Sequence, residues 1–459
     1  MSLPKYPHYK PSGVQWLGDV PAHWDIVPLK YVVSMRSGGT PDKSNTDYWE
    51  GSVPWASAKD LKVDDLWDTA DHITDDAVSC GAATLVPVGS VLVVVRGMIL
   101  ARLFPVVVAK VPMAINQDLK AVIAGDQLCS DFLAWLLRGS SEESLSRLDE
   151  AGHGTKALRM DSWSAMQLPV PSLHEQTAIA HFLDHETAKI DALIAEQEKL
   201  IHLLAEKRQA TLSHAVTRGL DPAAPMKDSG VAWLGEVPAH WTVTPLKHLV
   251  NFRSGGTPSK EKLNYWNGDV PWASAKDMKT DRLADTIDHI TAVAIEEKAA
   301  DLVPRGAVLV VVRGMILARM FPVSIVDTPM AINQDLKAVI PGERIDSEFL
   351  AWLLRGTSDD SLRRLDEAGH GTKALRMDAW ASMLLPVPPI PEQARIAQFI
   401  EQEMTRLAQL QNEAEHAIAL LKERRAALIA AAVTGQIDVR QNSEILNGGE
   451  SRDAVAALS

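Results

Sequence analysis

The sequence predicts an α+β protein with two similar mixed α/β domains, separated by two long antiparallel coiled-coil helices and related by a pseudo-two-fold axis. The first observation is a duplication: residue i matches residue i+217 from Trp16 to Pro171 without insertion or deletion. The second is a stretch after each copy whose apolar residues recur at steps of three, four or seven. This spacing is typical of a helix with one apolar seam, which needs a partner. We therefore expect the two helices to pair.

The duplication sets the expected organisation of the chain. Gly219, Pro222 and Pro225 stop the first helix and start the link to the second copy. The tail after Gly435 has no counterpart in the first copy and few large apolar residues, so we expect it to be mobile. The predicted segments are a first globular domain (1–171), a first long helix (172–218), a linker and entry to the second copy (219–230), a second globular domain (231–388), a second long helix (389–434) and a C-terminal tail (435–459).

Each long helix has a predicted seam. A helix of the first stretch's length would extend about 70 Å at 1.5 Å per residue. The seam residues of the first helix are Ile179, Leu183, Ile190, Leu193, Leu200 and Leu204, and those of the second are Ile396, Ile400, Leu407, Leu410, Leu421 and Leu428.

Local patterns within a copy indicate both strands and helices. Val91 to Val95 lies between two glycines and predicts a buried strand, and Leu119 to Ile123 predicts another. Phe132 to Arg138 predicts a short helix, with Ser130 as its N-cap and Gly139 at its end.

Composition narrows the class of protein. The chain has 459 residues, 46% hydrophobic and 23% charged, as in globular proteins. No apolar run approaches the roughly 20 residues of a membrane span, and the N-terminus lacks a signal peptide's apolar region, so we expect a cytoplasmic protein. Cys80 and Cys129 are too few for a disulfide framework or a cysteine zinc site. A net charge of −13 argues mildly against a nucleic-acid partner.

Basic residues are identical in the two copies more often than acidic residues are. Of the 15 Lys and Arg in residues 1–171, 13 are identical at i+217, whereas 8 of the 20 Asp and Glu are. Counting Asp/Glu exchanges as kept raises the acidic number to 13. Surface acids could simply have drifted after the duplication. Alternatively, each copy keeps a basic face for a polyanion, since Lys and Arg neutralise phosphates and Arg bonds guanine. Asn116-Gln117 and Asn333-Gln334 could contact adenine, but amide side chains also cap turns.

Motifs for catalysis are weak. Gly152 to Ala157 matches G-x-G-x-x-A, but no βαβ unit with the expected acid follows, so a phosphate-binding loop with Lys156 and Arg159 is the better interpretation. Asp60-Leu61-Lys62 and Asp118-Leu119-Lys120 have the acid-x-Lys spacing of metal-dependent nucleases, a short and common pattern. His153 and His370 adjoin glycines without a nearby nucleophile in a recognisable frame. We predict no catalytic residue, no metal ligand and no cofactor in this chain.

The duplicated layout resembles the specificity subunit of Type I restriction–modification systems. Trp16 to Trp24 (WLGDVPAHW) resembles the family's usual entry into a target recognition domain. Leu168 to Pro171 with Glu175-Gln176, and Leu385 to Pro388 with Glu392-Gln393, resemble its proline-rich entry into a spacer helix. The resemblance extends to about Gly435, and the order of the motifs, present twice, is what makes it specific.

This resemblance implies a non-catalytic, sequence-specific DNA-binding subunit. Each target recognition domain would read one half of a split double-stranded target, and the helices would set the spacing and dock two methyltransferase subunits. ATP-dependent restriction subunits would join for cleavage. S-adenosylmethionine, ATP and magnesium would belong to those partners.

One departure from the family pattern bears on the target. The two recognition domains usually differ, whereas here they are close copies. Copies related by two-fold symmetry should read the same sequence on opposite strands, so we predict a near-palindromic interrupted target with half-sites about one helical turn apart. The predicted DNA-binding residues are Arg36, Lys59, Arg96, Arg102, Lys156 and Arg159, with their copies Arg253, Lys276, Arg313, Arg319, Lys373 and Arg376.

Two other hypotheses stay open at this point. The chain could be a stand-alone metal-dependent nuclease using the Asp-x-Lys pairs, which would cut plasmid DNA with magnesium alone. It could also be a protein-only scaffold whose paired helices do all the binding, which would give no gel shift with DNA.

Overall fold

The computed structural model describes residues 4–150, 154–367 and 372–440. They form two compact units: the described parts of Met1–Gln197 and His416–Ser459, and Glu198–Glu415. Each unit therefore contains one globular domain, the N-terminal part of one long helix and the C-terminal part of the other. The fold class predicted from the sequence is confirmed in its mixed α/β domains and two long helices.

The first unit is built on three main sheets. The central sheet has five strands in the order Val33–Ser37, Leu119–Ala124, Val91–Val94, Val106–Ala109 and Asp65–Leu66. A four-stranded sheet has the order Asp71–Ile73, Trp49–Ala56, Met113–Ile115 and Leu85–Val86. A small three-stranded sheet has the order Arg96–Gly97, Lys156–Leu158 and Leu148–Glu150. Two-stranded pairs join Tyr9–Pro11 to Asp19–Pro21 and Gln167–Val170 to Asp25–Pro28.

Short helices fill the spaces between these sheets. The α-helices of the first domain are Leu29–Val32, Asp75–Ser79, Ser130–Gly139, Ser141–Leu145 and Met160–Ser164, and the 3₁₀ turns are Thr46–Tyr48 and Met98–Ala101.

The second unit repeats this topology. Its five-stranded sheet is Val250–Ser254, Leu336–Pro341, Val308–Val311, Val323–Val326 and Arg282–Leu283; its four-stranded sheet is Asp288–Ile290, Trp266–Ala273, Met330–Ile332 and Leu302–Val303; its small sheet is Arg313–Gly314, Lys373–Leu375 and Leu365–Glu367. The two-stranded pairs are Met226–Asp228 with Glu236–Pro238 and Thr242–Pro245 with Leu384–Val387. The α-helices are Ala292–Glu296, Ser347–Gly356, Ser358–Leu362 and Met377–Ala381, and the 3₁₀ turns are Leu246–His248, Leu263–Tyr265 and Met315–Ala318.

The two predicted strands lie side by side in the central sheet. Val91–Val94 is buried at every position, because Leu119–Ala124 and Val106–Ala109 pair with its two edges. A continuous apolar run suits such a strand, since both of its faces are covered.

The predicted short helix exists; its end at Gly139 is confirmed, and its N-cap lies one residue before the predicted one. Ser130 is its first residue, and Cys129 holds the N-cap position without a side-chain cap. In the second copy Asp346 caps the same position, accepting bonds from the backbone N–H groups of Glu348 and Phe349. Gly139 is the last residue of the helix, as predicted. Its role is steric: a Cβ there would lie 2.6 Å from Val433 Cγ2, at the end of the second long helix.

The long helices are Leu173–Arg218 and Ile390–Val433. The predicted seam is correct at both ends of the first helix and wrong between them. Leu193 is 52% exposed and Leu200 is 40% exposed, as is Leu410 in the second helix. The less exposed positions are Ile190, Ile194, Gln197, Ile201 and Leu204 in the first helix, and Leu407, Gln411, Ala414, Ile418, Leu421, Arg425 and Leu428 in the second. Both series follow alternating steps of four and three. In the first helix, Ile194 and Ile201 occupy the positions that were predicted for Leu193 and Leu200.

Parts of the two long helices contact each other within each unit. In the first unit Arg425 of the second helix pairs with Asp191 of the first at 2.9 Å and with Asp64 of the domain at 2.7 Å. In the second unit Leu204 and Met404 belong to one apolar cluster. The Arg425–Asp191 contact joins the late part of the second helix to the middle of the first, as in antiparallel neighbours.

A buried glutamine holds the start of each long helix on its own domain. Gln176 accepts a bond from the Cys129 backbone N–H at 2.8 Å and donates to the carbonyls of Gln127 and Pro171. Gln393 makes the same three kinds of bond in the second copy. These contacts explain the Glu-Gln pair after each proline-rich junction, since the preceding glutamates bond His23 and His240.

The segment after the second long helix begins as packed structure. Val439 is fully buried in the first unit, and the Asp438 backbone N–H donates to the Pro4 carbonyl at 2.8 Å. Residues up to Arg440 therefore do not behave as the predicted tail, and the rest of that tail, residues 441–459, lies outside the described residues.

We predict that Gly139→Ala destabilises the protein by about 1–3 kcal/mol, because the new methyl group must displace the stiff Val433 side chain. Without that contact, replacing a helical glycine by alanine would stabilise the helix by up to about 1 kcal/mol. Chemical denaturation measures the sign. In a protein that already carries Val433→Ala, the further change Gly139→Ala should cost less stability than it does in the wild type. A stabilised single variant would show that the close contact does not constrain the helix.

Candidate nucleic-acid interface

The small three-stranded sheet presents one face of arginines outward. Arg96 pairs directly with Ala157, which pairs with Asp149, so these three side chains project from the same face. The opposite face carries Leu158, which is buried against the core. Arg159 follows the strand on the outward face, and its Nε lies 3.6 Å from Asp149 Oδ1.

A rigid turn extends from this sheet. We call residues 96–102 the basic turn; it contains the strand Arg96–Gly97 and the 3₁₀ turn Met98–Ala101. Leu100 anchors it in the core, and the Arg102 backbone N–H bonds the Ile99 carbonyl at 2.9 Å. Arg96 and Arg102 are both exposed, and neither side chain has a hydrogen bond or ion pair within the described residues.

The other candidates on this sheet have acidic partners. Lys156 Nζ lies 2.6 Å from Glu150 Oε1, and the hydrogen bond and charge of Lys156 lower the pKa of the Glu150 carboxyl. Arg159 forms an ion pair with Asp149. These cations are already partly neutralised, so they have less to gain from phosphate than Arg96 and Arg102.

Arg36 and Lys59 lie elsewhere in the domain. Arg36 is exposed on the edge strand of the central sheet, and its Nη1 donates to the Leu85 carbonyl at 3.4 Å. Lys59 pairs with Asp71 at 2.7 Å, and this hydrogen bond raises the pKa of the lysine. The structure thus places Arg96, Arg102 and Arg159 on the outward face of the small sheet and its turn, with Lys156 on the opposite face of that sheet, and it leaves Arg36 and Lys59 elsewhere.

The second domain reproduces this arrangement. Arg313 and Arg319 have no side-chain partner among the described residues, whereas Lys276 pairs with Asp288, Lys373 with Glu367 and Arg376 with Asp366. Arg253 donates to the Leu302 carbonyl at 3.1 Å. Each of the six candidates in the first copy therefore has the same kind of partner, or lack of one, as its counterpart in the second. That these twelve residues contact DNA stays a prediction.

The amide candidates divide between two roles. Asn116 is buried, and its Oδ1 accepts a bond from the Asp118 backbone N–H at 3.1 Å, so it caps a turn. Asn333 does the same for Asp335. Gln117 and Gln334 are exposed, and their Oε1 atoms accept bonds from Thr40 and Thr257.

The residues proposed for catalysis have structural roles or lie outside the described part. Asp60 accepts bonds from Ser57 with one oxygen and from the Ala70 backbone N–H with the other. Within residues 4–150, 154–367 and 372–440, no group of three or more His, Cys, Asp or Glu could hold a metal ion. Gly152, His153 and His370 lie outside these ranges. The geometry thus lends no support to the nuclease hypothesis.

One feature of the basic turn was missed in the sequence. Met98, between the two partnerless arginines, is 72% exposed, and Met315 is exposed to the same degree in the second copy. The repeated run RGMILAR contained the signal, but a methionine among apolar residues predicts burial unless the turn is known.

Comparison with known proteins identifies the family. The model described as "Type I restriction modification DNA specificity domain" matches residues 21–202 and, a second time, residues 238–418. This chain belongs to that family. Each match covers one domain and the start of the long helix that follows it.

Curated relatives and solved structures agree with this assignment. The specificity subunit of the Type I restriction enzyme EcoR124I/EcoR124II from Escherichia coli is 31% identical over 252 residues, 53% of this chain and 56% of that protein. The MjaIX specificity subunit from Methanocaldococcus jannaschii is 24% identical over 61% of this chain and 64% of that protein. The chain thus spans somewhat more than half the length of these relatives.

Structural similarity supports the fold. The HsdS subunit from Thermoanaerobacter tengcongensis has a TM-score of 0.53 and 16% identity, with 91% of this chain and 98% of that one covered. A chain from a study of complex assembly and conformational transition of the type I R-M system has a TM-score of 0.65 and 17% identity, with coverage of 90% and 98%.

Within the described ranges, no helix combines the length and apolar character needed to cross a membrane.

We predict that partnerless arginines contribute more to DNA affinity than paired ones. Arg102→Gln with Arg319→Gln should weaken duplex binding and flatten the plot of log affinity against log salt by about two, one for each lost phosphate contact. The matched control, Arg159→Gln with Arg376→Gln, should change the slope less, because each arginine already has an aspartate partner. Fluorescence anisotropy across a salt series measures both. An unchanged slope for Arg102→Gln with Arg319→Gln would remove these arginines from the interface. Equal flattening by both variants would show that an aspartate partner does not reduce an arginine's contribution.

Proposed function

We propose that this chain is the DNA-specificity subunit of a Type I restriction–modification complex. Each target recognition domain reads one half of a bipartite duplex target. The observation that carries the proposal is the basic turn with its two partnerless arginines, present once in each of the two domains that match the family.

The chain itself would be non-catalytic. We propose that two methyltransferase subunits dock on the long helices and that ATP-dependent restriction subunits join them for cleavage. S-adenosylmethionine, ATP and magnesium would act in those partners. The carboxylate of Asp60, occupied by loop hydrogen bonds, supports this division of labour.

The two domains would read the same short sequence on opposite strands. The basic turns are identical, RGMILAR in each copy. In the differing run Val106–Val111 against Val323–Thr328, the first four positions are buried, so those exchanges lie in the core. The last two positions, where Asp327 replaces Lys110 and Thr328 replaces Val111, are not buried. The stretch Asp64–Asp76 against Asp281–Val293 does differ on the surface, as at Trp67, which is 65% exposed and has Ala284 as its counterpart.

We predict a near-palindromic, interrupted target with half-sites about one helical turn apart. Mapping methylated adenines by long-read sequencing, in cells expressing this chain with its methyltransferase, should show two inverted half-sites of the same sequence. Two unrelated half-sites would contradict symmetric recognition and point to the Asp64–Asp76 stretch as base-contacting.

The same preparation tests the non-catalytic assignment. Purified chain incubated with magnesium and plasmid should leave the plasmid intact, since both carboxylate oxygens of Asp60 are already bonded within its loop. Cutting by the chain alone would favour the nuclease hypothesis. Absence of any DNA shift with the methyltransferase present would favour a protein-only scaffold.

A further inference from the structure

The tip of each basic turn exposes apolar side chains between two arginines. Met98 is 72% exposed and Leu103 is 48% exposed, and their counterparts Met315 and Met320 are 72% and 52% exposed. Exposed apolar side chains next to free cations suit a ligand that offers both apolar groups and phosphates.

The duplication shows that this exposure is retained selectively. Among the described residues, the other large apolar side chains exposed by more than 60% are Tyr31, Trp67, Leu263 and Ile287. Their counterparts are His248, Ala284, Thr46 and Ala70, so none of these four has a large apolar side chain at the matching position. Met98 and Met315 are the exception. A side chain that merely happened to be exposed would have been free to vary like the others.

The backbone holds Met98 in a defined position. Gly97 has φ 154° and ψ 163°, and Gly314 has φ 152° and ψ 161°, a conformation that is essentially restricted to glycine. The buried Leu100, two residues later, fixes the other side of the turn. The methionine is therefore presented by a constrained turn, which suits a specific contact.

We propose that Met98 and Met315 are specificity-determining residues that pack against the 5-methyl group of a thymine in the major groove. This inference rests on the proposed function and adds a mode of base recognition to it. Arg96 and Arg102 would contact flanking phosphates and so place the methionine. Thymine is the base with an apolar group in the major groove, and the methionine side chain adapts its shape to such a surface.

The test uses the full chain co-expressed with its methyltransferase and a duplex selected by the wild-type complex from a randomised pool. Thymines of that duplex are replaced one at a time by uracil, which lacks only the methyl group. In the wild type, one replacement per half-site should weaken binding about fourfold, the effect of one buried methyl group. Met98→Ala with Met315→Ala should weaken binding on the order of tenfold and make it insensitive to those replacements.

Two controls separate this contact from general effects. The methionine variant should keep the wild-type salt slope, because methionine releases no counterion, and keep its affinity for a scrambled duplex. Met98→Leu with Met315→Leu should retain most of the thymine preference, since leucine is of similar volume.

Specific outcomes would overturn the proposal. If uracil weakens the alanine variant as much as the wild type, the methionines do not contact the methyl groups. If the alanine variant binds DNA normally but loses the methyltransferase, the turn is a protein-docking element. If the wild-type complex selects no sequence, the proposed function fails together with this contact, whereas selection with unchanged binding of the variant refutes the contact alone.

Discussion

The close contact between the short helix of each domain and the end of a long helix is the constraint on which each unit depends. Gly139 touches Val433, and Gly356 meets Val216 with a Cβ position 2.7 Å from its Cγ2 atom. The long-helix end comes in each case from the other copy, since Val433 follows the second domain and Val216 follows the first. A domain of this chain is therefore completed by a helix that the other half of the sequence supplies. The glycines permit this because any side chain would separate the two helices.

Each long helix is also held at its start. The start is bonded to the domain that precedes it, through Gln176 in the first copy and Gln393 in the second. Gln176 and Gln393 are fully buried, so losing either would leave backbone groups unpaired at a cost of about 1–3 kcal/mol each.

The sequence predicted the fold class because its signals were long and came twice. The strand Val91–Val94 and the two long helices have sequence patterns that predict the element without knowledge of its neighbours. The predictions failed where the reason for a residue is a distant contact. The steric role of Gly139 was not visible in the sequence, because Val433 lies almost 300 residues away along the chain. The middle of the first seam was wrong because Leu193 adjoins Ile194 and Leu200 adjoins Ile201, and the sequence does not show which of two adjacent apolar residues faces inward. At the candidate site, sequence gave the basic residues but not which of them lack partners, since pairs such as Lys59 with Asp71 depend on the folded sheet.

The net charge of −13 illustrates the same limit for electrostatics. A total charge describes the field far from the protein, whereas ionic screening at physiological salt limits the reach of a surface charge to about 8 Å. Within such a distance the state of each cation depends on its own neighbours. Arg96 and Arg102 have no side-chain partner in the described structure, while Lys156 has Glu150 at 2.6 Å. An acidic protein can therefore present locally cationic turns, and the partner that a turn selects depends on those few unpaired groups. Most basic residues are identical in the two copies, but only those without an acidic partner are free to bind an external anion.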